Sequence, residues 1–200
     1  MRESWTVAEA AYVLKEPVEV IRKVVERGPV RVRLVHRGRL KLRTVALPDL
    51  VYLHAERDLR TALTPKGRAE LYNALVKRPA QLVEMEAVAF GGLKLEIKPH
   101  LREVESRLED LNRLADEIDT STGEPLIKGT DIEAHRIAAL LEGGMTLEAV
   151  REDYPSLDED QILAAQIYAE LHPKVGRPFP RITAKAAMRN SGLDALDDDS

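Results

Sequence analysis

The side chains best placed to do chemistry are cations gathered on one short stretch: Arg22, Lys23, Arg27, Arg31, Arg33, Arg37 and Arg39. A guanidinium presents a planar fork of N–H donors to phosphate or to a guanine edge, and an ammonium presents a point charge. The first forty-three residues hold eleven Lys or Arg against five Glu, a net of +6. A segment of that sign attracts a nucleic-acid backbone. A second basic run lies near the C-terminus, where Lys174, Arg177, Arg181, Lys185 and Arg189 stand among Pro173, Gly176, Pro178 and Pro180. Between Glu124 and Glu170 the sign reverses, with eleven acids against Lys128, Arg136 and Arg151, a net of −8. That region repels phosphate and suits protein contact or dimerisation. The overall charge of −4 averages over these segments and conceals them.

Other chemistries find little support. No cysteine occurs in the chain, which excludes disulfides, thiolate metal sites and cysteine nucleophiles. His36, His54, His100, His135 and His172 are scattered with no metal-ligand spacing. There is no nucleophile elbow, phosphate loop or dinucleotide fingerprint. Asp158 and Asp160 suit a helix start, where negative charge is favoured. The expectation is a binding protein rather than an enzyme, with no cofactor and no metal. No apolar run is long enough to span a bilayer and no signal pattern opens the chain, so a cytoplasmic location is expected.

The basic stretch needs elements to position it. Thr6-Val-Ala-Glu9 forms a capping box, followed by the buried stripe Val7, Ala10, Ala11 and Leu14. Pro17 opens a second helix to Arg27, with Val20, Ile21, Val24 and Val25 inward and Arg22, Lys23 and Arg27 outward. Gly28-Pro29 closes it. Val30 to Val35 and Leu40 to Arg43 alternate apolar with basic around His36-Arg-Gly-Arg39, predicting a hairpin with arginines on one face and at the tip. Helix, turn, helix and basic hairpin make a winged helix-turn-helix over residues 1–78. The run Thr6 to Leu14 resembles the Thr-Val-x-Glu-Ala-Ala-x-x-Leu opening of excisionase and MerR-type regulators, with Lys15 where those carry glycine. The resemblance implies a second helix in the major groove, with Arg22 and Lys23 at bases or phosphates and Arg37 and Arg39 at the backbone or minor groove. The plainer alternative is that the arginines solvate an amphipathic hairpin.

Leu47-Pro48-Asp49 starts a helix with Leu50, Leu53, His54 and Leu59 at helical spacing, His54 being packed against its own helix. Thr64-Pro65-Lys66 caps another, with Leu71, Ala74 and Leu75 inward. Residues 79–118 read as a hairpin and a linker helix. Leu82 to Phe90 and Leu93 to Lys98 alternate about Gly91-Gly92. Leu101, Val104, Leu108, Leu111, Ala115 and Ile118 then recur at helical steps, as core or as a dimer seam.

Residues 119–171 carry a denser pattern: Gly123-Glu-Pro-Leu-Ile-Lys-Gly-Thr-Asp-Ile132, a helix, Gly143-Gly144, a second helix capped by Thr146, then Asp153-Tyr-Pro-Ser-Leu157. Thr130 or Asp131 can cap the first helix. Asp158 with Gln161 caps a third, running to Leu171. Three short helices with tight turns make a homeodomain-like unit, and the fold class expected is mainly α (α+β). This pattern resembles the four-three-three family of small prokaryotic domains catalogued as a domain of unknown function. Asp131 stands where that family usually has a basic residue. Its members are predicted VapB-type antitoxins of toxin–antitoxin pairs, which implies a PIN-like toxin ribonuclease as partner and operator DNA as target. Residues 172–200 read as an extended and mobile tail when alone, and the family's Gly-Arg-Pro tail implies that residues 172–190 of it supply the toxin contacts, the plainer alternative being a solubilising tail. Lys174, Arg177, Arg181 and Lys185 would then meet the nuclease's metal-binding carboxylates. A homodimer that represses its own operon is the expected form. The alternative is a free-standing winged-helix regulator with no toxin.

Overall fold

The computed structural model describes residues 3–37, 40–121, 123–174, 179–183 and 187. The fold is mixed α/β, several helices with small open sheets, and it divides into two compact units between Glu109 and Asp110.

In the first unit β1 (Trp5–Thr6) leads into α1 (Val7–Leu14) and α2 (Val18–Arg27). The Thr6 hydroxyl accepts the Glu9 N–H and the Glu9 carboxylate accepts the Thr6 N–H at 2.7 Å, so both ends of the capping box are made. Lys15 closes α1 in the left-handed conformation, φ 53°, the one non-glycine residue with positive φ among those described. A β-carbon there costs about 1 kcal/mol relative to glycine. β2 (Arg33–Arg37) and β3 (Leu40–Val45) pair antiparallel, and β1 joins the far side of β3, giving the order β1-β3-β2. Arg33, Leu34, Val35 and His36 are all exposed, so the alternation of β2 does not mark a covered face, whereas the end of β3 is held in the core by Thr44 and Val45.

α3 (Leu47–Leu59) and α4 (Pro65–Val76) carry the centre of this unit's core, with Leu50, Leu71 and Leu75 fully buried. Each such side chain contributes about 1.5–3 kcal/mol of burial. The Asp49 carboxylate accepts the Ala46 N–H at 2.7 Å to start α3, and the Thr64 hydroxyl caps α4 through the Gly67 N–H. The expected strand from Leu82 begins later. Residues Pro79–Glu84 form a 3₁₀ helix, and only Ala87–Phe90 (β4) pairs with Leu93–Glu96 (β5). Proline at the first position suits a helical start and removes a ladder donor. Gly91 and Gly92, both at positive φ, make the two-residue turn. α5 (Lys98–Asp116) follows and spans the division between units. Its buried positions are Leu101, Val104, Leu108, Leu111 and Leu114; Ala115 is exposed, and Ile118 lies beyond the helix in a strand.

In the second unit β6 (Ile118–Asp119) pairs antiparallel with β7 (Leu126–Ile127), a piece that finds its partner in the segment before it. α6 (Ala134–Glu142), α7 (Leu147–Asp153) and α8 (Glu159–Leu171) complete the unit, and α6 packs chiefly on α8. Ile137, Leu140, Ile162 and Ala165 form the seam. Thr130 does not cap α6. Its hydroxyl donates to the Ile127 carbonyl at 2.9 Å and accepts the Ile132 N–H at 3.1 Å, closing a turn. The Ile132 carbonyl accepts the Ile127 N–H and the Pro125 carbonyl accepts the Ala134 N–H, so the helix starts only at Ala134. Thr146 and the Asp158–Gln161 box cap α7 and α8. No helix among the described residues is long and apolar enough to cross a membrane.

Candidate functional site

Three residues separate α1 from α2, and α1 packs on α2 through Ile21 and Val25 on its inner face. That packing turns the opposite face to solvent, where Arg22, Lys23 and Arg27 are all exposed. Their states differ. Arg22 is tied to Glu19 at 2.6 Å, whereas Lys23 and Arg27 form no ion pair among the described residues. Arg31 and Arg33 are likewise exposed and outside any ion pair described. The Arg31 backbone N–H donates to the Tyr72 hydroxyl at 2.9 Å, and that hydroxyl donates to Asp49 at 2.9 Å. The base of the basic arm is therefore anchored in the core. Burial raises the Asp49 carboxyl above its usual range, although the Ala46 N–H, the Tyr72 hydroxyl and the Arg33 charge oppose this. Arg37 ends β2 opposite Leu40. Arg39 lies outside the described residues.

Three groups to which the sequence assigned no such partners belong to the same unit. Arg43, on β3, pairs with Glu26 of α2 at 3.1 Å. Glu56, only 2 % exposed, holds Arg60 at 3.1 Å and Arg68 at 3.1 Å. The i,i+4 spacing of Glu56 and Arg60 was a readable signal; Arg68 on the next helix was not. Beside this cluster, burial and the Glu56 charge push the Tyr52 hydroxyl up to about 12. Last, His54, expected to pack against its own helix, instead meets His100 of α5 Nδ1 to Nδ1 at 3.0 Å, from positions forty-six apart. One ring must donate and the other accept, so they cannot both be protonated there. Burial, and then the positive charge of His100, Arg57 and Arg107, lowers His54 to about 4. His100 is lowered for the same first reason. Among the described residues no three His, Asp or Glu side chains are grouped so as to hold a metal ion.

The cations expected to meet a toxin lie in the second unit. Lys174 reaches Glu133 at 2.7 Å and Glu124 at 3.3 Å, and its ammonium sits 4.4 Å over the Phe179 ring. The Glu133 and Glu124 hydrogen bonds raise its pKa. Arg181 is exposed, 3.8 Å from Glu142. Arg177 and Lys185 lie outside the described residues. Thr183 is 6 % exposed, and its hydroxyl bonds the Asp153 carboxylate. At Gly143 the backbone of Arg181 comes so close that a β-carbon would stand 2.0 Å from its carbonyl oxygen. Residues 179–183 are therefore packed on the α6–α7 turn, where an extended free segment was expected.

The motif residues of this unit are largely structural. Pro125 and Leu157 are buried, the Tyr154 hydroxyl accepts from Arg136 Nε at 2.8 Å, and Gln161 donates to the Lys128 carbonyl. His135 donates through Nε2 to the His172 carbonyl at 2.7 Å, joining α6 to the end of α8. These contacts define a small helical domain carrying a mini-sheet at its opening. Residues 117–169 match the family described as a protein of unknown function, DUF433. Over 90 residues the chain is 38% identical to a Sinorhizobium fredii protein, itself described as the uncharacterized protein y4eO. The match takes in 42% of this chain and spans 40% of that protein's length. No solved structure matches the chain.

Proposed function

We propose that the protein is an antitoxin-type repressor and not an enzyme. Its first unit acts as a winged helix-turn-helix on double-stranded operator DNA. Its second unit and basic tail hold a PIN-like toxin ribonuclease. The single observation that carries the DNA assignment is the state of α2: Ile21 and Val25 are buried on one face, and Lys23 and Arg27 stand exposed on the other, without ion pairs among the described residues. A helix of ten residues is about 15 Å long, enough to reach several base steps of a major groove. The β2–β3 arm, exposed at Arg33–His36, Lys41 and Arg43, suits the wing. A homodimer would present two such helices to two half-sites.

The test is gel-shift titration of the full chain against the DNA upstream of its own gene, across salt concentrations. Binding that weakens steeply with salt and protects two symmetric half-sites is the expected result. Equal affinity for unrelated DNA of the same length would refute operator recognition. Toxin neutralisation is tested by co-expression with a neighbouring nuclease, with and without residues 172–200; a truncated chain that still rescues growth assigns inhibition to the helices of the second unit.

One observation favours the plainer reading, a free-standing regulator with no toxin. Lys174 and Arg181 are already engaged by Glu124, Glu133 and Glu142 of their own unit. Purification of the tagged protein from its native host without any nuclease would select that reading.

A further inference from the structure

A cleft of about 600 Å³ opens in the first unit between the end of α2, the flank of α3 and the start of α4. Its walls are apolar, formed by Val24, Tyr52, Pro65 and Ala69, and its cations are Lys23, Arg27, Arg60 and Arg68. Glu56 is the one acid among the described lining residues, and it is buried with both oxygens occupied: Oε1 accepts from Arg68 Nη1, Oε2 from Arg60 Nε and Nη2. The lining therefore carries a formal charge of +3, from four cations and one acid. A guanidinium has five N–H donors, so each arginine keeps several after serving Glu56. Arg60 and Arg68 remain 47% and 30% exposed, and Lys23 and Arg27 have no ion pair among the described residues. Glu56 thus acts as a positioning residue that fixes two guanidiniums at the edge of an apolar hollow. The volume lies in the range of roughly 300–1,000 Å³ usual for small-molecule sites.

From this arrangement we infer that the cleft binds a small organic anion, an apolar body bearing one carboxylate, sulfonate or phosphate group. The body would lie against Tyr52, Val24 and Ala69, and the anionic head would meet the cations at the rim. Lys23 and Arg27 belong also to the outer face of α2. On the proposed DNA assignment, on which this second clause alone rests, an occupied cleft competes with phosphate for those two side chains. The protein then releases its operator in response to the anion.

The probe is 1-anilinonaphthalene-8-sulfonate, titrated by fluorescence against the full chain, with uncharged N-phenyl-1-naphthylamine as the control. Saturable binding of the sulfonate is expected, at least about tenfold tighter than the neutral compound, as charge assistance in a partly desolvated site requires. Lys23→Gln with Arg27→Gln should weaken it by about tenfold while leaving circular dichroism and Tm unchanged. Ala69→Trp, which fills the hollow and leaves every charge in place, should abolish it. No saturable binding, equal affinity for the neutral compound, or sulfonate binding untouched by either variant overturns the site. A separate arm adds the sulfonate to the protein–DNA complex. Release of DNA by wild type and not by Ala69→Trp upholds the competition; a complex that persists at saturating sulfonate overturns it. Failure of the protein to bind DNA at all refutes the DNA reading and leaves the fluorescence result standing.

Discussion

Both units carry basic side chains, yet they hold them in opposite conditions. On α2 of the first unit, Lys23 and Arg27 stand exposed without ion pairs among the described residues. In the second unit Lys174 and Arg181 are drawn onto Glu124, Glu133 and Glu142, acids of the same compact body. A charge count along the sequence marks both stretches as basic and cannot separate them. What separates them is local surplus: the +6 segment has too few acids to satisfy its cations, and the −8 segment has acids to spare. Arg60 and Arg68 form a third condition, cations committed to one buried carboxylate.

The largest effect should come from that third group. Replacing Arg60 and Arg68 together with methionine leaves Glu56 buried without a partner, and should destabilise the first unit by about 3–5 kcal/mol, read by urea unfolding. A loss near zero would mean that Glu56 rehydrates, and the contrast between buried and surface pairing would fail.

The histidine pair comes next, because there burial suppresses a charge instead of pairing it. The His54 pKa is lowered from 6.5 to about 4, so the unfolded chain binds the proton more readily. Stability should be complete above about pH 6.5 and fall as the pH drops toward about 4, by on the order of 2–3 kcal/mol. The groups facing the pair that modulate this are Arg57, Asp58, Glu103 and Arg107. Unfolding curves from pH 7.5 to 4 for wild type and His54→Asn measure it; parallel curves would show that the rings do not carry the slope.

Third, Lys23→Gln with Arg27→Gln should lower operator affinity about tenfold or more and flatten the salt slope by about two. The matching pair Lys174→Gln with Arg181→Gln should leave both quantities unchanged. If the two double variants behave alike, availability is not what distinguishes the cations.

The smallest effect is local. Gly143→Ala puts a β-carbon where the Arg181 carbonyl lies, so residues 179–183 must leave the α6–α7 turn. Trypsin should then cut at Arg181 faster, while the Tm of the unit moves by no more than about 1 kcal/mol would allow. Unaltered cleavage would show that the turn does not hold the segment.

Much of the scaffold could be read from local signals. The Thr6–Glu9 and Asp158–Gln161 boxes, the Thr64 and Thr146 caps and the Gly91-Gly92 turn each depend on residues within three or four positions, and each forms as read. Where nearby residues had competing uses, the sequence misled: Thr130 serves a turn, and Pro79 starts a 3₁₀ helix that takes Leu82–Glu84 from the opening of an alternating run. The candidate site was legible as composition and opaque as geometry. Lys23 and Arg27 were visible as cations, but nothing local showed that Glu19 would take Arg22 alone. The His54–His100 contact and the Arg68–Glu56 pair join different helices, and periodicity carries no information about such meetings.

The docking of Lys174 and of residues 179–183 has a consequence for populations. Exposed ion pairs contribute roughly 0.2–1 kcal/mol each and ordering the chain opposes them, so the docked and released forms lie close in free energy. A fraction of molecules then has the segment released at any moment. A partner that takes only the released form meets an apparent affinity lowered by that same fraction. Its association would show a plateau at high partner concentration, set by the opening rate of the segment and not by diffusion. The three glutamates beside the segment thus act as a threshold on capture, since weakening any one of them would raise the released population without touching a partner contact.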